Sequence, residues 1–330
     1  MSGTHLTPVE RERLFELKMA EHSNAEVARQ MGRHRSTIGR ELERFKSHES
    51  WPACGRYFPC YAQGMAVARR AEARGSYWTR HRPLVAYVLR GLRREWSPEQ
   101  ISRRVVLDHP DDGEMRVSHT AIYAHVRADR LAGGTLSRRL RQGRRARRKQ
   151  YGTGAGASRI PNRVPIAQRP PEVETRGTGG HWEADTVLGV NGRLGTFVER
   201  RSRYLLVAPL ADGTAAALNA GARRAFAKVP ASCRKTMTSD NGSEFAGHGQ
   251  LAAKLGLATY FADPYSAWQR GTNENTNGLL RQYFPKGHDF SATTPRQVAR
   301  VAEKLNNRPR KCLAYRTPAE VLGPLLQLKS

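Results

Sequence analysis

The feature that most constrains this 330-residue chain is a stretch in its middle. From Arg130 to Pro171 there is no acidic residue, and Arg138–Lys149 holds eight basic residues in twelve. It continues as YGTGAGASRIPNRVPIAQRPPEVETRGTGG, rich in Gly and Pro. Such composition does not bury a core by itself, so residues 131–179 are expected to be a basic linker that orders on a phosphate backbone. The two sides differ in pattern. Before the stretch every legible element is a helix; from Gly180 onward β-branched and apolar runs alternate with helices.

The helices announce themselves by their starts. Thr7-Pro8-Val9-Glu10, Ser23-Asn24-Ala25-Glu26 and Ser97-Pro98-Glu99-Gln100 have the spacing of capping boxes, two of them with Pro at the first helical position. Gly32 ends the second helix and makes a turn. The helix that follows opens with Arg33, Arg35, Ser36, Thr37 and Arg40, while Ile38 and Leu42, four apart, face inward. Short helix, Gly turn and a polar, basic helix start is the helix-turn-helix order, which assigns residues 1–50 to DNA binding and those five side chains to the groove. Residues 51–130 are expected to form a second helical unit, read either as a further helix-turn-helix with Ser118, His119 and Thr120 on its reading helix or as a connecting bundle.

Charge agrees with a nucleic-acid partner. Lys and Arg total 56 against 29 Asp and Glu, a net charge of +27 with a pI near 10.9. So large an excess disfavours a small-metabolite enzyme and favours a polyanion. Arg144, Arg145, Arg147 and Arg148 of the basic stretch are candidate backbone contacts. The longest apolar runs, such as Leu84–Leu89, fall far short of the ~20 residues a spanning helix needs, and the first residues carry no apolar run of a secretory signal. Cys54, Cys60, Cys233 and Cys312 lack zinc spacing and are expected to be reduced thiols in a cytoplasmic protein.

In the second half, His181–Val190, Thr196–Glu199, Tyr204–Leu210, Thr236–Ser239 and Leu257–Phe261 read as strands. Thr214–Lys228, Ser243–Leu255 and Asn273–Tyr283 read as helices. Together they predict an α/β fold, a mixed sheet flanked by helices, over 180–330. Acidic residues are sparse here, so their placement matters. Asp185 lies in the first strand, Asp240 at the end of a later one, and Glu274 at a helix start, with 33 residues between the last two. Hard carboxylate oxygens at such positions suit Mg²⁺, and two ions ~4 Å apart can activate a nucleophile and stabilise a leaving oxygen. Glu183 shares Asp185's strand face and competes for the first place; Glu244, four residues after Asp240, caps its helix, holds a water or is a further ligand; Asp263, before Pro264, is assigned to the turn. Trp182 points opposite to Asp185 and is assigned to the core.

The segments around these carboxylates resemble the DDE transposases of bacterial insertion sequences, most closely the IS-thirty family. The resemblance is carried by Gly180-His181-Trp182-Glu183-Ala184-Asp185, by Thr238–Phe245, by FADPYSAWQRGTNENTNGLLRQYFPKGHDF (261–290) and by LNNRPRKCLAYRTPAEVL (305–322), and extends to the N-terminal helices. It implies a ribonuclease-H-like core in which Asp185, Asp240 and Glu274 are catalytic and hold two Mg²⁺ ions, with Mn²⁺ able to substitute. The implied partners are double-stranded DNA, as element terminal inverted repeats and target, and a second copy of the chain in a homodimer or larger synaptic complex in the bacterial nucleoid. Beside the triad, Arg281 lies two helical turns after Glu274 and is expected to contact phosphate. Asn273 and Asn277 either orient Glu274 or touch DNA. Arg270 and Trp268, with Tyr265, precede that helix, Trp268 being either a base-stacking ring or a core anchor. The alternative function is a DNA-binding regulator without catalysis, which would not need three carboxylates.

Overall fold

The computed structural model describes residues 5–44, 57–141, 160–264 and 266–326. Arg144, Arg145, Arg147, Arg148, Cys54 and Tyr265 lie outside them. Two compact units divide the chain, Met1–Val85 and Ala86–Ser330.

In the first unit, α1 (Pro8–Met19), α2 (Asn24–Gln30) and α3 (Arg35–Arg44) are followed by the long α4 (Pro59–Arg80). The reciprocal bonds of a capping box close α1, with Thr7 Oγ1 accepting from the Glu10 amide and Glu10 accepting from the Thr7 amide. Ser23 caps α2 in the same way with its hydroxyl alone, because the Glu26 carboxylate turns to Arg29 at 2.6 Å. Gly32 makes the turn between α2 and α3 at φ +60°, a region open to Gly without strain. Leu14, Leu17, Val27 and Ile38 form the core. Through it runs a buried ion pair, Arg11 Nε to Glu41 at 2.6 Å, with Arg11 also donating to the Leu6 carbonyl and Gln63. Spreading a buried guanidinium over a carboxylate, a carbonyl and an amide oxygen is what makes it tolerable. A second pair, Arg33 to Glu10 at 2.6 Å, fixes the turn against α1.

The second unit begins within α5 (Arg82–Arg93) and continues through α6 (Pro98–Asp108) and α7 (His119–Leu131). These helices do not stand apart as a separate 51–130 body. Gln100 both caps α6 and donates to the Pro309 carbonyl at 2.7 Å, and Arg104 grips Glu320 at 2.6 Å. Tyr315 donates to Glu99 at 2.8 Å. Helix α6 is thus docked on α13 (Pro318–Leu326) and on the turn that joins it to α12 (Pro295–Asn306).

The expectation of an uninterrupted linker to residue 179 is also corrected. Residues 160–179 are folded on the sheet. Ile160 enters its core and Val173, in the one-turn α8 (Glu172–Thr175), is fully buried. The Phe261 amide donates to the Val164 carbonyl at 2.9 Å, and buried Arg169 donates to Thr238 and pairs with Glu174. A Pro-rich strip needs no helix or strand of its own when an open sheet edge supplies its partners.

Five strands form the sheet in the order β3-β2-β1-β4-β5: β1 (His181–Leu188), β2 (Arg193–Glu199), β3 (Leu205–Leu210), β4 (Thr236–Ser239) and β5 (Ala258–Phe261). The first three are antiparallel; β4 and β5 run parallel to β1 and each other, so the sheet is mixed as expected. Alternation sorts the side chains of β1. Trp182 and Ala184 face the core built with α9 (Ala215–Phe226) and α10 (His248–Leu255), where the Trp182 ring meets Phe226 edge-on at 4.8 Å. Val187 faces the opposite core, made with α11 (Gly271–Leu280) and α12. Glu183 and Asp185 share that second face.

Candidate active site

The site grows from strand register. Glu183 of β1 pairs with Thr238 of β4, so Asp185 and Asp240 each lie two residues beyond the same rung on neighbouring parallel strands. Two like charges placed side by side need compensation, and Arg270 provides it. Its Nη2 stands 3.1 Å from Asp240 Oδ2 and its Nη1 3.5 Å from Asp185 Oδ2, with Nη1 also donating to the Ala184 carbonyl at 3.3 Å. Burial raises the Asp185 carboxyl above the usual carboxylate range; the Arg270 charge opposes this and the Asp240 charge adds to it. The Thr186 amide donates to Asp185 Oδ1 at 2.8 Å and Asn277 Nδ2 to Oδ2 at 3.0 Å.

Glu274 stands apart from this pair. Its side chain is exposed on the first turn of α11 and lines a cavity of about 860 Å³ with Thr186, Asn277, Arg281 and Lys286. Among the described residues no three His, Cys, Asp or Glu side chains lie close enough to hold a metal ion. The structure therefore brings Asp185 and Asp240 together and leaves Glu274 on the rim. Asn277 Oδ1, one turn beyond Glu274 on the same helix face, is buried without a hydrogen-bond partner. Two carboxylates and an orphaned amide oxygen form a hard-oxygen donor set that fits a divalent ion, and the guanidinium drawn between the carboxylates marks the place as one that takes a cation.

The competing carboxylates are otherwise engaged. Glu183 is fully buried, pairs with Arg200 at 2.7 Å and accepts the Asn273 amide at 2.8 Å. It caps the first turn of α11, the helix bearing Glu274. Glu244 accepts from Thr186 at 2.8 Å, beside the aspartates. Asp263 does shape its turn, accepting from Gln269 at 2.9 Å. Arg200 was not visible as a partner in the sequence. The only hint is that a buried strand glutamate demands one.

One DNA contact expected from the sequence is corrected. Asn273 cannot reach DNA, being fully buried. Its Nδ2 donates to the Glu183 and Thr196 carbonyls at 2.9 and 3.3 Å, and its Oδ1 accepts from Thr196 Oγ1 at 3.2 Å. Asn277 holds Asp185, and Arg270 is spent on the aspartates. Arg281 does share the cavity with Glu274, its Nη2 tied to the Leu188 carbonyl at 2.8 Å. Trp268 is no core anchor: it is 75% exposed. Elsewhere Arg35, Ser36 and Arg40 are exposed on α3, with Thr37 half-buried, Arg33 paired to Glu10 and Arg40 hydrogen-bonded to Ser36. Ser118, His119 and Thr120 are exposed at the start of α7, where Ser118 caps the helix through the Ala121 amide.

A mixed five-stranded sheet with one aspartate within its central strand and another just past the end of the neighbouring parallel strand, in a chain that also carries helical DNA-binding elements, defines a polynucleotidyl transferase of the integrase type. Residues 176–267 match the integrase core domain family and residues 2–44 a helix-turn-helix domain family. The transposase for insertion sequence element IS1086 of Cupriavidus metallidurans is 39% identical, over 97% of this chain and 95% of that protein. The transposase InsI for IS30A of Escherichia coli is 36% identical over 96% of this chain and 83% of its own length. The transposase for IS4351 of Bacteroides fragilis is 36% identical over 99% and 98%. Among solved structures, the catalytic core of BIV integrase aligns with 46% of this chain and 97% of its own, at 18% identity and a TM-score of 0.36. The chain belongs to the IS30 family of insertion-sequence transposases. Its core domain family is one of metal-dependent nucleases.

Proposed function

We propose that this transposase cuts DNA at the terminal inverted repeats of its element and joins the freed 3′-hydroxyls to target DNA, with Asp185, Asp240 and Glu274 as the acting carboxylates. The observation that carries the reading is the pairing of Asp185 and Asp240 at one level of two parallel strands, bridged by a guanidinium. In the first step water attacks phosphorus and the 3′-oxygen leaves as a hydroxyl; in the second that 3′-hydroxyl attacks a target phosphorus. Each step exchanges one P–O bond for another, so no covalent protein intermediate is formed.

Asp185, Asp240 and Glu274 would hold two Mg²⁺ ions, Mn²⁺ substituting. The ions supply a lowered water pKa and charge to stabilise the leaving oxygen. The protein's own contribution is placement. Asn277 orients Asp185, the Glu183 cap and the Asn273 side chain fix the start of α11, and Arg281 and Lys286 line the approach to Glu274. Duplex recognition falls to α3 through Arg35, Ser36, Thr37 and Arg40, to the start of α7 through Ser118, His119 and Thr120, and to the basic stretch Arg144–Arg148. Trp268 stacks on an unpaired base beside the scissile bond. Pairing two ends requires a dimer or larger assembly, working in the cytoplasm at the nucleoid.

The test is a plasmid carrying this gene with its native flanks, incubated with wild type or Asp240→Asn, with Mg²⁺ or EDTA, and sequenced for new 3′ ends. Mg²⁺-dependent ends at two inverted sequences, absent with Asp240→Asn, are expected. Equal cutting by the variant would refute the triad, and site-specific binding with no cutting by either protein would favour a regulator.

A further inference from the structure

Arg270 is placed as a charge that the site holds for itself. It sits at the N-cap of α11, four residues before Glu274, with its side chain only 15% exposed. Both terminal nitrogens are directed at carboxylates, Nη2 to Asp240 at 3.1 Å and Nη1 to Asp185 at 3.5 Å, while Nε has no partner. Besides the aspartates the fork has one further acceptor, the Ala184 carbonyl, 3.3 Å from Nη1. A guanidinium does not lose its proton in the working pH range, so it cannot yield this position by neutralising. A divalent ion bound by the same oxygens would meet a fixed positive charge within a few ångströms.

We propose that Arg270 is the resident counter-cation of the unloaded carboxylate pair, and that a divalent cation binds by displacing its guanidinium from Asp185 and Asp240. The inference rests on the metal-centre reading above and adds a competitor to it. It explains how two aspartates remain together on neighbouring strands before loading. It also links loading to α11, because the residue that must withdraw is one helical turn ahead of Glu274, the carboxylate left on the rim.

The test uses full-length protein and Mn²⁺ alone, without DNA, by titration calorimetry and thermal melting. Arg270→Ala should bind Mn²⁺ roughly tenfold tighter or more, since removing a unit charge about 4 Å away is worth over 1.4 kcal/mol even under strong dielectric screening. Its metal-free form should melt below wild type, with the gap closing at saturating Mn²⁺. Arg270→Gln, closer in volume, should behave the same way. Unchanged or weaker Mn²⁺ affinity in these variants overturns the proposal. Asp240→Asn separates the two failures. If it loses Mn²⁺ binding while Arg270→Ala is unaffected, only the competitor role falls; if wild type and Asp240→Asn bind alike, the metal centre itself falls. Phenylglyoxal labelling of wild type, read by peptide mass, needs no variant: Arg270 should be protected without Mg²⁺ and modified with it. Equal modification in both conditions also overturns the proposal.

Discussion

Asn273→Ala separates a structural staple from a DNA contact. The Asn273 side chain is fully buried between α11 and the β1–β2 pair, and makes three hydrogen bonds of 2.9–3.3 Å to Glu183 and Thr196. Each intramolecular hydrogen bond contributes about 1 kcal/mol net, and a buried partner left unpaired costs about 1–3 kcal/mol. Alanine removes all three bonds and leaves two carbonyls short of a donor, so the second unit should lose about 3 kcal/mol. For a body of its size that lowers the melting midpoint by roughly 6–12 °C. Scanning calorimetry reads the midpoint, and fluorescence anisotropy with a labelled terminal-repeat duplex reads DNA affinity below the transition. Expected is a large drop in midpoint, a reduced cutting rate because Glu274 is no longer fixed, and DNA affinity within about twofold of wild type. An unchanged midpoint with lost DNA affinity would refute the burial argument and restore Asn273 as a DNA contact.

Trp268→Ala should leave the melting midpoint unchanged, because the ring is three-quarters exposed, yet cost about 1–3 kcal/mol in binding a substrate with unpaired bases at the cut; equal affinity for paired and unpaired ends would sink the stacking role. His181 is held below its ordinary pKa by burial, which Glu172 opposes and Lys235 reinforces. Its neutral form is the folded one, so its stability contribution is complete above about pH 6.5 and is lost as pH falls from there through the folded-state pKa. His181→Gln should flatten the pH 5–7 slope of urea midpoints, and an unaltered slope would count against it. Arg104→Ala breaks the contacts to Glu320 and the Tyr315 carbonyl that dock α6 on the C-terminal segment, along with the pair to Asp108 within α6. With Glu320 partly exposed, the cost should be about 1 kcal/mol by chemical denaturation; no change would make the bridge ornamental.

The elements legible in the sequence were those whose signals are local. Thr7 with Glu10 and Ser97 with Gln100 close reciprocal capping boxes where the spacing placed them. Alternation along His181–Leu188 sorted Trp182 from Asp185, because a strand has one way to separate its faces. The segment 160–179 was misread for the converse reason. Its Pro-rich composition speaks only of what it does alone, and its fold depends on the edge of β5, about a hundred residues on. Asn273 failed in the same way. Its polarity pointed to solvent, but a polar side chain is equally at home inside once carbonyls such as those of Glu183 and Thr196 await donors.

Charge was the hardest to place by reading along the chain. Asp185, Asp240 and Glu274 stood out because carboxylates are scarce in so basic a protein, and scarcity is a property of composition. The arginines are the opposite case. Arg169, Arg200 and Arg270 look in sequence like any of the many cations expected to face phosphate, yet each is turned inward against Glu174, Glu183 or the aspartate pair. The physical reason is desolvation. A carboxylate carried under the sheet face by strand alternation is costly unless a cation follows it, and only a guanidinium offers enough donors to satisfy it in a confined place. A net charge of +27 therefore overstates what is available to DNA. Part of it is consumed in building the site, and the residues so consumed are recognised by the buried acid they must neutralise: Glu183 for Arg200, and Asp185 with Asp240 for Arg270.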